Sequence, residues 1–263
     1  GIMKDTFVLS STCWVSYNFF MVFINRKKVL INIIFLIINI LVIVNIKSYI
    51  ILSLLPGMLL WLNSAYLKNI KNKFIKILSV PFIGITIVSI GFFAFSNLNQ
   101  LMGKYSDVDA AINQARIIQQ DLLREEAYGS NSYYLGEIDG TIGGMLRLAP
   151  AAIFTAIYRP LPNEIGSPLM VISVIENVIL IFLTFFIVIR INPISLIRYI
   201  INEPFLVFAL TFSFIFAYGV GIASTNFGAL VRYKIPLIPF FFTSIFILKS
   251  ISKTKLYDKN KNK

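Results

Sequence analysis

An all-α, polytopic transmembrane helix bundle of about seven spans is the fold class this sequence predicts, and three observations predict it. Hydrophobic residues make up 57% of the 263, charged residues only 14%, and mean hydropathy is +0.79, more apolar surface than a water-soluble domain of this size can hide. The apolar residues gather in seven runs long enough, or nearly so, to cross a hydrocarbon core about 30 Å thick. The cations collect in alternate connections between those runs, which is the pattern that orients a chain in a membrane.

In chain order the runs fall at residues 6–24, 29–46, 49–67, 75–96, 168–189, 204–223 and 235–248, the last of them short. The first connection carries Arg26, Lys27 and Lys28, the third Lys68, Lys71, Lys73 and Lys76, and the fifth Arg190 and Arg198. The end of the chain carries Lys249, Lys253, Lys255, Lys259, Lys261 and Lys263. Alternating spans put all of these on one side, and the positive-inside rule makes that side, and the C-terminus, cytoplasmic. The opposite side receives the tight turn at Lys47, the long segment 97–167 and the loop 225–234. The chain therefore divides into four spans (1–96), one long extracytoplasmic segment (97–167), three spans (168–250) and a basic cytoplasmic tail (251–263). The long segment has eight acidic residues, from Asp107 to Glu164, against five cations.

That segment predicts structure of its own. Ser106-x-x-Asp109 has the form of a capping box and Gly129 that of a C-cap. Between them Val108, Ile112, Ala115, Ile118 and Leu122 recur at helical spacing, an amphipathic helix lying on the bundle as a packing or lid element. A flexible Gly-rich stretch, 129–144, follows with Tyr133, Tyr134, Glu137 and Asp139, and its glycines match no P-loop spacing. Residues 145–158 are apolar, contain Pro150 and are too short to span, which predicts a re-entrant or interfacial segment.

Composition excludes several chemistries. There is no histidine, so His general bases, His metal sites and Ser-His-Asp triads are absent. Cys13 is the single cysteine and reads as a buried, inert thiol. No metal and no cofactor are expected. The net charge of +12 is scattered at the ends of apolar runs and forms no continuous basic face, so membrane lipids rather than nucleic acid are the expected partner. The chain opens at Gly1 without a signal-peptide pattern and reads as the C-terminal part of a longer protein.

Candidate site residues gather on the extracytoplasmic side. Arg159-Pro160-Leu161-Pro162-Asn163-Glu164 follows the re-entrant stretch; its prolines predict an extended backbone that presents Arg159 and Glu164 at the outer surface. Arg232-Tyr233-Lys234-Ile235-Pro236-Leu237-Ile238-Pro239 sets two cations and two prolines at the mouth of the last span. Guanidinium groups bind phosphate oxygens through a fork, so Arg159, Arg232 and Lys234 are candidate phosphate ligands, and interfacial anchoring is the competing reading. Lys4 and Lys47 read as snorkelling anchors. Glu176-Asn177 lies roughly 12 Å into the bilayer from Pro168, at 1.5 Å per residue. A carboxylate at that depth marks either a functional site or a buried ion pair, here with Arg232 or Arg159. As a functional group, Glu176 would orient Arg232 or accept a proton from a sugar hydroxyl, and Glu164 is the second candidate catalytic carboxylate. Asn32, Asn39 and Asn45 in the second span read as interhelical hydrogen-bond partners.

The Gly1-Ile2-Met3-Lys4-Asp5 opening, Tyr158 to Glu164, Glu176-Asn177 and Asn226 to Pro239, in this order, resemble the C-terminal half of integral membrane proteins encoded among bacterial exopolysaccharide and O-antigen genes. The resemblance implies a multi-pass protein of the bacterial cytoplasmic (inner) membrane that works in polysaccharide biosynthesis on a polyprenyl-pyrophosphate-linked oligosaccharide. Some relatives are described as repeat-unit polymerases and others as glycosyltransferases; the polymerase is the expectation. It also implies that Arg159 and Arg232 engage the pyrophosphate, and that other polysaccharide-assembly proteins are partners. The Arg-Tyr-x-x-Pro-x-x-Pro element resembles, in addition, the outer loop of polyprenyl-phosphate-sugar glycosyltransferases of the C superfamily, whose acidic pair in a first external loop has no counterpart here. A non-catalytic subunit or transporter of a polysaccharide export system is the reading from outside enzymology, although no internal repeat supports a transporter.

Overall fold

With no water to satisfy them, backbone N–H and C=O groups inside a bilayer must pair along their own chain, and the apolar runs do so as helices. The computed structural model describes residues 2–68, 108–122, 132–136 and 141–261, and among them there is no strand. In order the elements are α1 (Ile2–Phe19), which continues as a π-helical turn (Phe20–Asn25), α2 (Val29–Lys47) and α3 (Tyr49–Lys68), then α4 (Val108–Leu122) and α5 (Ile142–Tyr158). A 3-10 turn (Pro162–Glu164) leads to α6 (Pro168–Arg190), α7 (Pro193–Asn202), α8 (Pro204–Ala223) and α9 (Phe227–Tyr233), and a second 3-10 turn (Ile235–Leu237) leads to α10 (Ile238–Lys261). Six stretches of the described residues are long and apolar enough to cross a membrane: Lys4–Asn25, Val29–Lys47, Tyr49–Lys68, Met170–Arg190, Pro204–Ala223 and Phe227–Thr254. The protein is an all-α, multi-pass membrane bundle. The span expected at 75–96 lies outside the described residues, as do Ser106 and Gly129, the expected caps of the amphipathic helix.

Proline opens three of these helices, Pro168 in α6, Pro193 in α7 and Pro204 in α8, where its missing N–H costs nothing and its φ is already helical. Side-chain caps open others: Thr141 Oγ1 accepts from Gly144 N at 3.0 Å in α5, and Asn226 Oδ1 accepts from Gly228 N at 2.8 Å in α9.

α8 is the axis of the bundle. α3 crosses it where Gly57 has no side chain to hold it off Phe208 and Phe212, and Trp61, Phe208, Phe212, Phe216 and Phe240 continue the contact as a column of packed rings. On the other side α5 approaches so closely at Gly221 that a Cβ there would overlap the backbone of Ala152. Lipid tails are as apolar as these side chains, so close packing of this kind, rather than water exclusion, holds such helices together. α4 rests on the end of α8 and α5 through Ile112, which packs with Ala152 and Ile222. On the outside of the bundle, Leu30, Ile34 and Ile38 of α2 and Ile172, Phe182 and Phe185 of α6 are exposed, as side chains facing hydrocarbon should be.

Polar contacts sort the connections into two ends. At one, Lys47 pairs with Asp5 at 2.6 Å and lies over the Tyr233 ring, and Thr225 Oγ1 donates to the Gln119 carbonyl at 3.1 Å. At the other, Arg26 donates to Tyr66 Oη at 2.8 Å, Lys68 faces Glu203 at 3.9 Å, and Arg190 and Lys249 share the Phe186 ring.

Several local expectations change. The last span is not short, because α10 runs on through the basic tail to Lys261. The connection holding Arg198 is itself a helix, α7, with Ile194, Ile197 and Ile201 on one exposed face and Leu196, Tyr199 and Ile200 packed inward. Asn39 and Asn45 donate to their own helix, to the carbonyls of Phe35 and Leu41, and Asn32 donates to those of Lys27 and Lys28, so none of the three bridges helices by these bonds. Their short amides reach the previous turn more readily than a neighbouring backbone. Cys13 is exposed rather than buried. Part of the Gly-rich stretch expected to be flexible is packed, with Ser132 bridged to Asn226 and Tyr133 N donating to the Thr225 carbonyl at 2.7 Å. Gly136 closes that strap with φ 122°, a conformation that favours glycine.

Candidate functional site

α9 and the 3-10 turn after it place Lys234. Asn226 caps α9, the Lys234 N–H closes its last turn on the Leu230 carbonyl, and Leu237 N returns to the Lys234 carbonyl, which turns the chain into α10. The Lys234 side chain is thereby directed into the bundle, where it is 2% exposed. Its Nζ donates to Asn177 Oδ1 at 2.5 Å and to the Arg159 carbonyl at 3.0 Å. The other side of the same amide, Asn177 Nδ2, donates to the Pro160 carbonyl at 2.9 Å. One asparagine on α6 thus joins the lysine to the turn that ends α5. Taking an ammonium out of water is costly, and here neutral oxygens hold it. Glu176, the residue before Asn177, is half-buried and close enough to act on Lys234 electrostatically, but forms no ion pair with it.

Arg159 forms the second half of the cluster. The Arg159–Pro160 peptide is cis, and the Pro162–Glu164 turn folds Glu164 back onto the arginine instead of leaving the segment extended. Arg159 Nε donates to Glu164 Oε1 and Oε2 at 2.9 and 3.1 Å, Nη2 also donates to Oε1, and Leu161 N donates to Oε2 at 2.8 Å. Burial alone would raise the Glu164 carboxyl, but its bonds from Arg159 and Leu161 hold it below the usual carboxylate range. The guanidinium carbon lies 4.7 Å from the centroid of Tyr133 and 5.0 Å from that of Phe227, and the two rings pack on each other at 4.8 Å. Tyr133 is 7% exposed, and its hydroxyl is buried with no hydrogen-bond partner among the described residues. Burial pushes its phenol well up, so it stays protonated and can donate.

The structure therefore brings together Arg159, Glu164 and Lys234, with Glu176 at the edge, and leaves Arg232 apart. Arg232 is exposed on α9, and its Nε donates to the Gly228 carbonyl of its own helix at 3.3 Å. The expected ion pairs of Glu176 with Arg232 or Arg159 are not formed, because Glu164 occupies the arginine fork and Arg232 turns outward. The sequence alone does not show Asn177 as the bridge, or Tyr133 and Phe227 as the arginine's ring partners. Asn177 had a local signal, an amide beside an intramembrane carboxylate; Tyr133 had none, since it meets Phe227 across most of a hundred residues. Among the described residues no group of His, Cys, Asp and Glu could hold a metal ion. The chemistry on offer is donation: an ammonium, the arginine N–H groups not spent on Glu164 and a phenol without a partner among the described residues, suited to anionic and hydroxyl oxygens. No protein-family model, curated protein or solved structure matches the chain, and the chemistry of the cluster stands on its own geometry.

Proposed function

We propose that the protein acts in bacterial surface-polysaccharide assembly as a repeat-unit polymerase on a polyprenyl-pyrophosphate-linked glycan, with the Lys234–Asn177–Arg159 cluster recognising the pyrophosphate on the extracytoplasmic face. The observation that carries this reading is Lys234, a buried cation at a helix end held by neutral oxygens beside the buried Tyr133 hydroxyl, which has no partner among the described residues. A diphosphate would complete both groups, and charge-assisted bonds in a water-poor site are the strong ones. The isoprenoid tail would remain among the exposed apolar faces of the helices. In this mechanism Lys234 and Tyr133 stabilise the departing pyrophosphate, and Arg159, held in place by Glu164, lends its remaining donors. Glu176, whose carboxylate has no ion-pair partner among the described residues, takes the proton of the attacking sugar hydroxyl. Arg232 is then the outer ligand, meeting the anion as it enters.

The test is polymer formed per unit of membrane-inserted protein, measured in a strain lacking the gene. That strain should accumulate lipid-linked single repeat units and make no long chains; an unchanged chain-length ladder would reject the polymerase. Lys234→Gln should abolish polymer while the protein remains inserted. Arg232→Ala, at an exposed position, should leave abundance unchanged and lower polymer yield on the order of tenfold, the scale of one lost charge-assisted bond. If Arg232→Ala and Lys234→Gln both keep wild-type yield per molecule, the phosphate site lies elsewhere. Loss of even the single lipid-linked unit in the null strain would favour the polyprenyl-phosphate-sugar glycosyltransferase, the reading that the Arg232-to-Pro239 element supports.

A further inference from the structure

At the opposite end of the bundle a seam opens between α1, α3, the start of α8 and α10. It encloses a cavity of about 680 Å3, within the range of sites that take whole small ligands. Tyr17 and Phe20 of α1, Trp61 of α3, Phe205 of α8 and Phe240 of α10 make its walls apolar and aromatic. Phe240 packs on Phe208 and Phe212, so this wall of the cavity backs onto the ring column of α8. Its mouth is charged. Lys68 and Glu203 line it, with Lys68 60% exposed and the two charges 3.9 Å apart. Arg26 follows Ile24, another lining residue, by two positions and is fixed to Tyr66, beside the lining residue Ala65; Lys27 and Lys28 are exposed next to it.

An apolar slot with cations at its rim is complementary to one kind of molecule in a bilayer, a lipid with an anionic phosphate headgroup. We infer that this seam is a binding site for an anionic phospholipid, whose acyl chain lies against Trp61 and Phe240 while its phosphate meets Arg26 and Lys68. A zwitterionic lipid has the same chain but brings a cation to a rim that already holds several. The Lys68–Glu203 pair sets the strength of the preference, since Glu203 offsets one of the cations the phosphate would use. The π-helical turn Phe20–Asn25 belongs to the same feature: it supplies Phe20 and Ile24 to the wall and ends at Arg26, whose φ of 55° starts the basic loop.

The protein has two tryptophans, so Trp14→Phe leaves Trp61 as the only reporter. In that background the full chain is reconstituted in vesicles of phosphatidylcholine and phosphatidylglycerol, with bromine on the acyl chains of one lipid or the other, and quenching of Trp61 is compared at equal mole fraction. Brominated phosphatidylglycerol should quench more strongly, with a relative affinity on the order of fivefold for each cation engaged. Arg26→Gln with Lys68→Gln should bring the two lipids level, and Glu203→Gln should widen the gap. Thr243→Phe, which fills the cavity from an exposed position, should protect Trp61 from both. Equal quenching by the two lipids in the unmutated rim, a preference that survives loss of both cations, or quenching unaffected by Thr243→Phe would each overturn the assignment.

Discussion

Arg159 shows how little of a residue's role lies in its own charge. Its fork is taken by Glu164 and its flat surface by Tyr133 and Phe227, so a lysine there would keep the charge and lose both contacts. The partner carboxylate makes this testable by pH. The Glu164 pKa is lowered on folding, so the unfolded chain binds this proton more readily than the folded one. The group's stabilising contribution is therefore complete above the ordinary glutamate range and is lost as pH falls below it, through the lowered folded value. Wild-type protein in detergent should accordingly be more heat-resistant than Glu164→Gln at neutral pH, with the difference shrinking once pH drops under about 4. Two melting curves that stay parallel down to strong acid would mean that the pairing adds nothing to the fold. The sequence pointed to Arg159 and Glu164 because an Arg-Pro-x-Pro-x-Glu segment is polar and conspicuous between apolar runs. It could not show that they neutralise each other, since that depends on the turn at Pro162–Glu164 folding back rather than extending.

Among the elements, those whose limits are set by local chemistry are legible in the sequence. α8 begins at Pro204 and ends at Ala223, as read from the apolar run alone, and α2, α3 and α6 shift by about a residue at one end. α7 is not legible in the sequence because ten residues are too few to register as an apolar run, and its Ile194–Ile197–Ile201 face becomes meaningful only beside a bilayer. α5 reads as apolar and too short to span, but its close approach to α8 rests on Gly221, which no periodicity distinguishes from Gly219. The structure separates the two glycines clearly. A Cβ at 221 would overlap the Ala152 backbone, whereas one at 219 meets nothing within 4 Å. Gly221→Ala must push the helices apart and should cost about 1–3 kcal/mol or more, while Gly219→Ala should be neutral or slightly favourable within its helix. Melting temperatures of the two purified variants decide it, and equal losses would show that α5 is free to shift off α8.

For the whole molecule, one charge rule repeats across separate connections of the sequence, and the contacts of the fold have the same two-ended form. Arg26, Lys68, Glu203, Arg190 and Lys249 make their contacts at one end; Asp5, Lys47, Thr225, Arg159 and Lys234 make theirs at the other. The grouping fixes which loops share a side, and the excess of Lys and Arg at the first end proposes which side that is. The orientation matters because the two candidate lipid sites lie at opposite ends and would meet different leaflets. It is decided by single cysteines in a Cys13→Ser background, at Asn163 in the turn beside Arg159 and at Asn202 at the end of α7, both exposed positions. In intact cells a membrane-impermeant maleimide should modify the cysteine at 163 and spare that at 202, and permeabilised cells should label both. The reverse pattern would put the Lys234 cluster in the cytoplasm, where a lipid-linked glycan awaiting polymerisation is not found, and the polymerase proposal would fall. The lipid preference at Trp61 would survive that result, because it depends on the rim charges and not on the leaflet they face.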